Sequence, residues 1–360
     1  MRILEVSRYK NNFAEHQLPF VTEQGEAIAK YLRDMQSDGM SRAGALNEPL
    51  TLNDEPAVEY FLVKGNYVTA VRKLKKKIRE FKPDIVHAHY GLSAITAELQ
   101  NLAPVVTTFH NGETHSWWVN MMTSLMSLRA KHVIYVAPHI RDLVYFKAKK
   151  YSIIPCGVSL EDCFLMDKAE ARRKLGWSDD KKYIMFGGAF DNERKNYKLL
   201  AEAVERLALS DEGLGKSQES RVKSIECIEM KGLSRAECVL RMNACDVFAL
   251  PTKNEGSPQA LKEAMACNCP IVATDVADIK YLLGDLPGHY VLPNKKGDGA
   301  WWKGDEHSAE ELATLLNQAL AFERRTEGRK RIEELGYTNE LVAQKIIKIY
   351  QHVLEDNKQR

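Results

Sequence analysis

The sequence contains no uncharged apolar run that approaches the roughly 20 residues needed to cross a bilayer. Its first residues, MRILEVSRYK, also lack the apolar core of a signal peptide and are instead typical of a short buried strand. None of the seven cysteines forms a Cys-x-x-Cys pair, although Cys267 and Cys269 form a Cys-x-Cys in an apolar stretch. These absences disfavour a structural zinc site and predict small buried cysteines in a reducing cytosol.

An excess of charge of either sign is also missing. The 360 residues include 51 Lys and Arg against 49 Asp and Glu, which gives a net charge of +2. A protein that wraps nucleic acid is normally more basic, so no nucleic acid is expected as a partner. The contents of 44% hydrophobic and 28% charged residues are ordinary globular values and exclude a disordered or fibrous chain.

The signatures of several enzyme classes are absent. No Gly-x-Gly-x-x-Gly follows a predicted strand and no Gly-x-Ser-x-Gly occurs, so the usual dinucleotide fingerprint and hydrolase elbow are missing. Residues 213–217 resemble the end of a P-loop, but Ser210 stands where its first glycine is required. No Asp-x-Asp pair is present to hold a metal with a diphosphate. His87 and His89 have no evident carboxylate or cysteine partner, so we expect structural roles for them and no metal.

Short β-branched runs alternate with helical segments along the chain. Most predicted strands are continuous apolar runs, as in parallel sheets that helices cover on both faces. This alternation predicts an α/β fold with two doubly wound sheets. The predicted strands cover residues 3–6, 57–63, 84–87, 105–109, 134–137, 152–154, 183–186, 225–230, 247–250, 271–274 and 290–292. The predicted helices cover residues 20–35, 68–81, 199–209, 235–244, 258–266, 309–322 and 340–355.

A polar, charge-rich stretch after residue 154 marks the predicted domain boundary. We expect an N-terminal domain at residues 1–154, a second domain at 155–340, and a C-terminal helix at 341–360 that packs back on the first domain. The polar segments 36–56 and 210–221 are predicted surface loops. A further predicted loop contains Trp301 and Trp302, whose role the sequence leaves open.

The most informative segment is PTKNEGSPQALKEAMACNCPIVATDVADIKYLL, at residues 251–283. Ser257 is a suitable N-cap and Pro258 a suitable first residue for a helix that follows a predicted strand. A helix start at that edge of a parallel sheet favours an anion such as a diphosphate. Glu255 and Glu263 flank the start, and carboxylates accept hydrogen bonds from vicinal hydroxyls. The pattern suits a nucleotide-sugar, although two solvated helix-end glutamates are an equally simple interpretation.

The stretch EGSPQALKEAMAC strongly resembles the E-x7-E signature of family 4 glycosyltransferases. Four further segments resemble that family in the same order. They are PDIVHAHY at 83–90 (a strand and loop), FHNG at 109–112 (the F-H-G loop), IPCGV at 154–158 (the I-P-N-G-V linker), and FGGAF at 186–190 with Lys195 and Asn196 (the phosphate-binding loop).

The resemblance implies a retaining hexosyltransferase of GT-B architecture, with two Rossmann-like, doubly wound domains facing a central cleft. In its catalytic set, Glu255 would hold the donor-sugar hydroxyls, Lys195 would neutralise the leaving diphosphate, and His110 would face the donor sugar. Glu263 would bind the ribose diol. The other implied donor-binding residues are Gly188, Arg194, Gly256, Ser257, Pro258 and Gln259.

The same resemblance implies a nucleotide-diphosphate sugar as donor, a glycan or lipid-linked acceptor, no cofactor and no metal. Synthesis of a capsule, exopolysaccharide or teichuronic-type polymer is the implied setting. Two departures matter: Ala189 stands where the family often has an arginine, and residues 9–20 replace its N-terminal glycine-rich loop. Two alternative functions therefore remain: an epimerase of similar architecture, and a catalytically degenerate module that binds a nucleotide-sugar.

Two segments of the first domain suggest a membrane surface. Residues 64–82 hold eight basic residues and one acidic residue, and an apolar stripe at 68, 71, 74, 78 and 81 would turn Lys73 and Lys76 outward. Residues 117–128, which begin with Trp117 and Trp118, are unusually apolar. The pair predicts a cytoplasmic protein that is peripheral on the inner face of an anionic membrane. A solvated helix and a buried helix are the alternative.

Overall fold

The computed structural model describes residues 1–8, 19–37, 57–64, 66–111, 116–212, 224–294 and 307–359. The expectations for Trp301 and Trp302, for Gly112, for the P-loop-like residues 213–217 and for most of segment 36–56 lie outside the described residues. The chain divides into two compact units, one of Met1–Gly157 with Tyr337–Arg360 and one of Val158–Gly336. The sequence places these boundaries at residues 154 and 340.

The first unit contains a parallel six-stranded sheet with the order β2-β1-β3-β4-β5-β6. All residues of its third and fourth strands are buried, because helices cover both faces of the sheet. Its elements are β1 (Arg2–Arg8), α1 (Pro19–Ser37), β2 (Ala57–Val63), α2 (Tyr67–Phe81), β3 (Ile85–His89), α3 (Gly91–Glu98), β4 (Val105–Phe109), α4 (Trp117–Ser127), β5 (His132–Tyr135), α5 (Pro138–Leu143) and β6 (Tyr151–Ile153).

The second unit contains a parallel five-stranded sheet with the order β11-β10-β9-β7-β8. Its elements are α6 (Lys168–Leu175), β7 (Lys182–Phe186), α7 (Tyr197–Glu212), β8 (Ile225–Ile228), α8 (Arg235–Ala244), β9 (Val247–Leu250), α9 (Gln259–Ala266), β10 (Ile271–Thr274), α10 (Ile279–Leu283), β11 (His289–Leu292), α11 (Ala309–Ala321) and α12 (Gly328–Glu334). Strands β7 and β9 are neighbours, so the loops that follow them emerge at the same sheet edge.

The last helix, α13 (Asn339–Lys358), belongs to the first unit. Thr338 caps its start by accepting a hydrogen bond from the Leu341 backbone N–H. Its buried face, which includes Ile346 and Tyr350, joins the core that contains Ile28 of α1. The chain thus returns to the first unit after it has formed the second.

The predicted α/β fold with two parallel sheets is confirmed, and each predicted strand is present. The predicted apolar stripe of α2 is wrong at Val68, which is 62% exposed. The buried side of α2 consists instead of Ala70, Leu74, Ile78 and Phe81. Asn66 begins this helix by accepting a hydrogen bond from Val68 N–H, which places Val68 in the first, solvent-facing turn.

Candidate functional site

The loops after β7 and β9 form the candidate site in the second unit. Gly188 follows β7 and lies directly against the side chain of Lys195. A Cβ at Gly188 would lie 2.7 Å from Lys195 Cγ, which is closer than real Cβ atoms approach. The glycine is therefore required for the backbone to pass beside this lysine.

The centre of the site is an ion cluster around Glu255. Its Oε1 lies 2.7 Å from Lys195 Nζ, and its Oε2 lies 3.2 Å from a terminal nitrogen of Arg194. Burial alone would raise the pKa of the Glu255 carboxyl, but the two cations outweigh this effect and lower it. Glu255 is therefore an ionised, buried carboxylate whose charge is balanced by two basic side chains.

Backbone contacts fix the two loops against each other. Lys253 N–H donates to Arg194 C=O at 2.9 Å, and Arg194 donates from its side chain to Asn254 C=O at 2.7 Å. Thr252 Oγ1 donates to Glu255 Oε1 at 3.1 Å, and Thr274 Oγ1 donates to Thr252 C=O at 2.6 Å. These contacts hold the charged groups in fixed positions, as electrostatic catalysis requires.

The start of α9 lies directly beyond this cluster. The helix begins at Gln259, with Pro258 as its N-cap and no side-chain cap hydrogen bond. The prediction that Ser257 caps the helix is therefore wrong, because its hydroxyl donates to Asp278 Oδ2 at 2.7 Å. Pro258 has no polar side chain with which to cap the helix, and the backbone N–H groups of a helix start suit an anion.

Glu263 lies within α9 and is buried, with Arg235 of α8 at 3.3 Å from its Oε1. Burial raises the pKa of the Glu263 carboxyl, and the charges of Arg235 and Lys262 offset this only in part. The two glutamates of the E-x7-E signature thus occupy different environments: Glu255 has two cations at close range, whereas Glu263 is mainly desolvated.

Sequence reasoning missed three charged residues of this region: Arg235, Lys262 and Asp278. Lys262 is fully buried on α9, and its charge lowers the pKa values of both Glu263 and Asp278. Burial nevertheless raises the pKa of Asp278 to about 6. A lysine beside the signature glutamate was the available signal, since an α9 face that packs on the sheet would normally be apolar.

His110 follows β4 in the first unit. Its ring lies 4.9 Å from the Phe20 ring and 4.7 Å from the Tyr90 ring, measured between centroids. Its Nδ1 lies 3.7 Å from Cys156 Sγ, and its Nε2 lies 3.2 Å from His89 Nδ1. The next residue, Asn111, has a φ of 93°, an unusual conformation that is often found at functional sites.

The expectation that His87 and His89 lack a carboxylate partner is wrong. Glu5 of β1 lies between them, with its Oε2 at 2.7 Å from His89 Nε2 and 3.5 Å from His87 Nδ1. The three side chains are buried and offer one ligand atom each within 4.8 Å of one another. Their shortest separation is that of a hydrogen bond, so a metal would have to spread the group.

Helices α2 and α4 both pack against α3 in the first unit. Lys73 and Lys76 are exposed on α2, as predicted from the apolar stripe. On α4, Trp117 and Trp118 are 66% and 53% exposed, so the alternative of a buried helix is wrong. The buried residues of α4 are polar: Asn120, Thr123, Ser124 and Ser127. No helix in the described part of the chain combines the length and hydropathy of a membrane span.

Two family models match the chain. Residues 44–162 match the model described as Glycosyltransferase Family 4, and residues 181–318 match the one described as Glycosyl transferases group 1. Together the two segments cover well over half of the chain. The chain belongs to the family 4, group 1 glycosyltransferases. The resemblance found in the sequence is thereby confirmed.

Individual relatives of this family 4 chain are distant. It is 26% identical over 239 residues to the "Putative teichuronic acid biosynthesis glycosyltransferase TuaC" of Bacillus subtilis, covering 60% of this chain and 59% of TuaC. It is also 26% identical over 231 residues to the phosphatidyl-myo-inositol mannosyltransferase of Propionibacterium freudenreichii, covering 60% of each. The chain therefore spans about three fifths of these relatives.

A solved structure supports the fold assignment over the whole chain. HepE of Anabaena, in complex with UDP, is similar with a TM-score of 0.66 and 15% identity, covering 98% of this chain and 100% of that one. At this identity the likeness concerns the fold. Two Rossmann-like α/β domains of the GT-B class are the shared architecture.

Proposed function

We propose that the protein is a retaining glycosyltransferase that transfers a sugar from a nucleotide-diphosphate sugar to a glycan or lipid-linked acceptor. The observation that carries this proposal is the cluster of Lys195, Arg194 and Glu255 beside the start of α9. Two fixed cations and the backbone N–H groups of a helix start suit a diphosphate, and the buried carboxylate suits the hydroxyls of a sugar. A ligand with both features is a nucleotide-sugar.

The charge distribution of the site suits departure of a diphosphate. Breaking a sugar–phosphate bond develops positive charge at the anomeric carbon and negative charge on the leaving group. Lys195 and the α9 start would stabilise the negative charge, and the ionised Glu255 would lie near the positive one. Retention without a fixed nucleophile implies attack from the face of the leaving group, whose phosphate would accept the proton of the acceptor hydroxyl.

Arg194 supplies the positive charge that is missing at Ala189, where the family often has an arginine. Its side chain contacts Glu255 and the Asn254 carbonyl, so it supplies a cation close to the loop in which the family arginine is absent. This contact favours an active enzyme over a degenerate binding module. HepE, solved with UDP, makes a uridine nucleotide the first donor base to test.

Transfer should proceed in the presence of a metal chelator, because protein cations would stabilise the leaving diphosphate. The experiment incubates the enzyme with UDP-sugars and lipid or glycan acceptors, with and without EDTA, and measures free nucleoside diphosphate and glycosylated product. Equal rates in both arms are the expected result. A chemical step that requires Mn²⁺ or Mg²⁺ would contradict the metal-independent mechanism. Epimerised donor without released diphosphate would identify the alternative enzyme class.

Exposed side chains of the first unit suit contact with a membrane surface. The polarity of α4 is the reverse of that of a normal surface helix, because its buried residues are polar and its two tryptophans are exposed. Helix α2 of the same unit has exposed lysines. Aromatic rings and lysines together bind the interface of an anionic bilayer. The names of TuaC and the mannosyltransferase suit a cell-surface polymer and a lipid acceptor, respectively. We therefore propose peripheral attachment to the membrane that carries the acceptor.

Replacing Lys73 and Lys76 together by glutamate should abolish binding to vesicles containing anionic lipid at low salt. Each lysine near such a surface contributes about 1 kcal/mol, so reversing two charges is a large change. The control is the double variant Lys149→Glu/Lys348→Glu, which reverses two exposed lysines outside α2. Co-sedimentation measures binding. Wild-type protein that does not bind the vesicles would rule out the proposal, and an unchanged circular dichroism spectrum and thermal unfolding of the variant would show that the fold is intact.

A further inference from the structure

A cavity of about 430 Å³ lies in the first unit, at the sheet edge where strands β4 and β5 begin. Its walls come from the connection between α3 and β4, the connection between α4 and β5, and the end of α13. His110 follows the opposite end of β4, so the cavity is separate from the residues considered above. Its volume is within the range of pockets that hold small molecules.

The cavity is lined by a buried carboxyl group, that of Glu98 at the end of α3. This residue is only 5% exposed, and its Oε1 has no hydrogen-bond partner among the described residues. A buried polar atom without a partner costs free energy and is rare in folded proteins. Since Glu98 also lines a cavity, a ligand group is the natural partner for this oxygen.

Two basic side chains, Arg129 and Lys131, line the same cavity. Arg129 donates from Nη2 to Asn101 Oδ1 at 3.0 Å, which fixes its guanidinium group at the rim. Burial raises the pKa of the Glu98 carboxyl to about 8, and the charges of Arg129 and Lys131 offset this only in part. The cavity therefore combines two cations with one desolvated carboxyl group.

The wall between α3 and β4 is held in a fixed shape by Gln100. This side chain is buried, and it donates from Nε2 to the Ala103 carbonyl at 2.6 Å. Its Oε1 accepts from the Ala103 N–H at 3.0 Å. Asn101, which lies within this bridged turn, has a φ of 55°. The turn thus presents Asn101 to Arg129 without depending on a ligand.

The lining residues restrict the chemistry of a ligand. Arg129 and Lys131 suit a phosphate or a carboxylate. A hydroxyl suits Glu98 in either protonation state, because it donates to an ionised carboxylate and accepts from a protonated one. An ammonium group would be repelled by the two cations. None of the described lining residues is aromatic, so a nucleobase would have no ring on which to stack.

We propose that this cavity is a second binding site, for a small sugar that carries an anionic group. The phosphate or carboxylate of the sugar contacts Arg129 and Lys131, and one of its hydroxyls contacts Glu98. All of these residues belong to the first unit, whereas Lys195 and Glu255 belong to the second. The site therefore does not depend on the proposed function.

The first test is titration calorimetry of the full chain with glucose 6-phosphate and with glucuronate. We expect at least one of them to bind about tenfold or more tightly than both glucose and inorganic phosphate, because only the anionic sugars offer both kinds of group. The sugar that binds shows whether the anion is a phosphate or a carboxylate. No binding of either sugar at millimolar concentration, or equal binding of inorganic phosphate, would overturn the proposal.

The second test locates the ligand. Arg129→Gln and Lys131→Met should each lower the affinity for the anionic sugar roughly 10- to 100-fold, because each removes a charge-assisted hydrogen bond. Lys30→Met, which removes an exposed lysine of α1, is the matched control and should bind as wild type does. Lys195→Ala should also bind normally. Affinity lost in Lys195→Ala but kept in Arg129→Gln would place the sugar in the second unit and overturn the proposal.

The third test separates a binding role of Glu98 from a structural one. Glu98→Met keeps the approximate size of the side chain but removes its hydrogen-bonding oxygens. We expect affinity for the anionic sugar to fall about tenfold or more, while Tm without ligand rises, because a buried carboxyl without a partner is lost. Retained affinity, or a lower Tm, would show that the carboxyl serves the fold and would overturn the proposal.

Discussion

Lys195→Ala should lower kcat by about 10²–10³-fold, comparable to the loss of one oxyanion donor. The Lys195 side chain is only 13% exposed and its Nζ is fixed by Glu255 at 2.7 Å. Its charge is thus in place before negative charge develops on the leaving diphosphate, so little reorganisation is needed. Arg194 lies 3.2 Å from the same carboxylate and keeps Glu255 partly compensated in the variant, which favours correct folding.

The control for this substitution is Lys198→Ala. Lys198 lies shortly after Lys195 in the sequence, is 87% exposed and pairs with Glu202. Its replacement therefore removes a lysine but leaves the cation of the site in place. Steady-state kinetics with a UDP-sugar donor provides kcat and KM for both variants. A decrease below tenfold in Lys195→Ala would show that Arg194 or the α9 start stabilises the diphosphate instead.

The strands could be predicted because they are buried on both faces of their sheets. In a parallel sheet covered on both faces, β3, β4 and β9 are fully buried, and this burial demands an apolar run in the sequence. The helices α5 and α10 were missed because six and five residues are too few to show a helical period. Helix α6 was also missed, although its caps, Asp167 and Gly176, are visible in the sequence.

The candidate site could be predicted only as a set of residues. The E-x7-E spacing indicates that Glu255 and Glu263 share a loop and a helix, but Lys195 reaches Glu255 across 60 residues of sequence. Glu5 likewise reaches His89 across 84 residues. Neither pairing has a local signal, because it arises from the order of strands within each sheet. Ser257 was misassigned for the same reason, since its partner Asp278 lies beyond the next strand.

The different surroundings of the two signature glutamates lead to different expectations for Glu255→Gln and Glu263→Gln. Glu263 is desolvated within α9 and, on the proposed function, accepts from the ribose diol, which is remote from the reacting carbon. That contact changes little between ground and transition states, so its loss should appear mainly as a higher donor KM. Free UDP, which carries the same ribose, should also bind more weakly.

Glu255→Gln should instead lower kcat by about 10²-fold, because an ionised carboxylate near the anomeric carbon stabilises the positive charge that develops there in the transition state. Glutamine keeps the size of the side chain but removes the charge that Lys195 and Arg194 balance. Those cations would then be free to attract phosphate, so the affinity for free UDP should be unchanged or tighter. Calorimetry with UDP and steady-state kinetics with the UDP-sugar, run in parallel on both variants, measure all of these quantities. The reverse pattern, with kcat lost in Glu263→Gln and UDP affinity lost in Glu255→Gln, would mean that the donor binds in the opposite orientation.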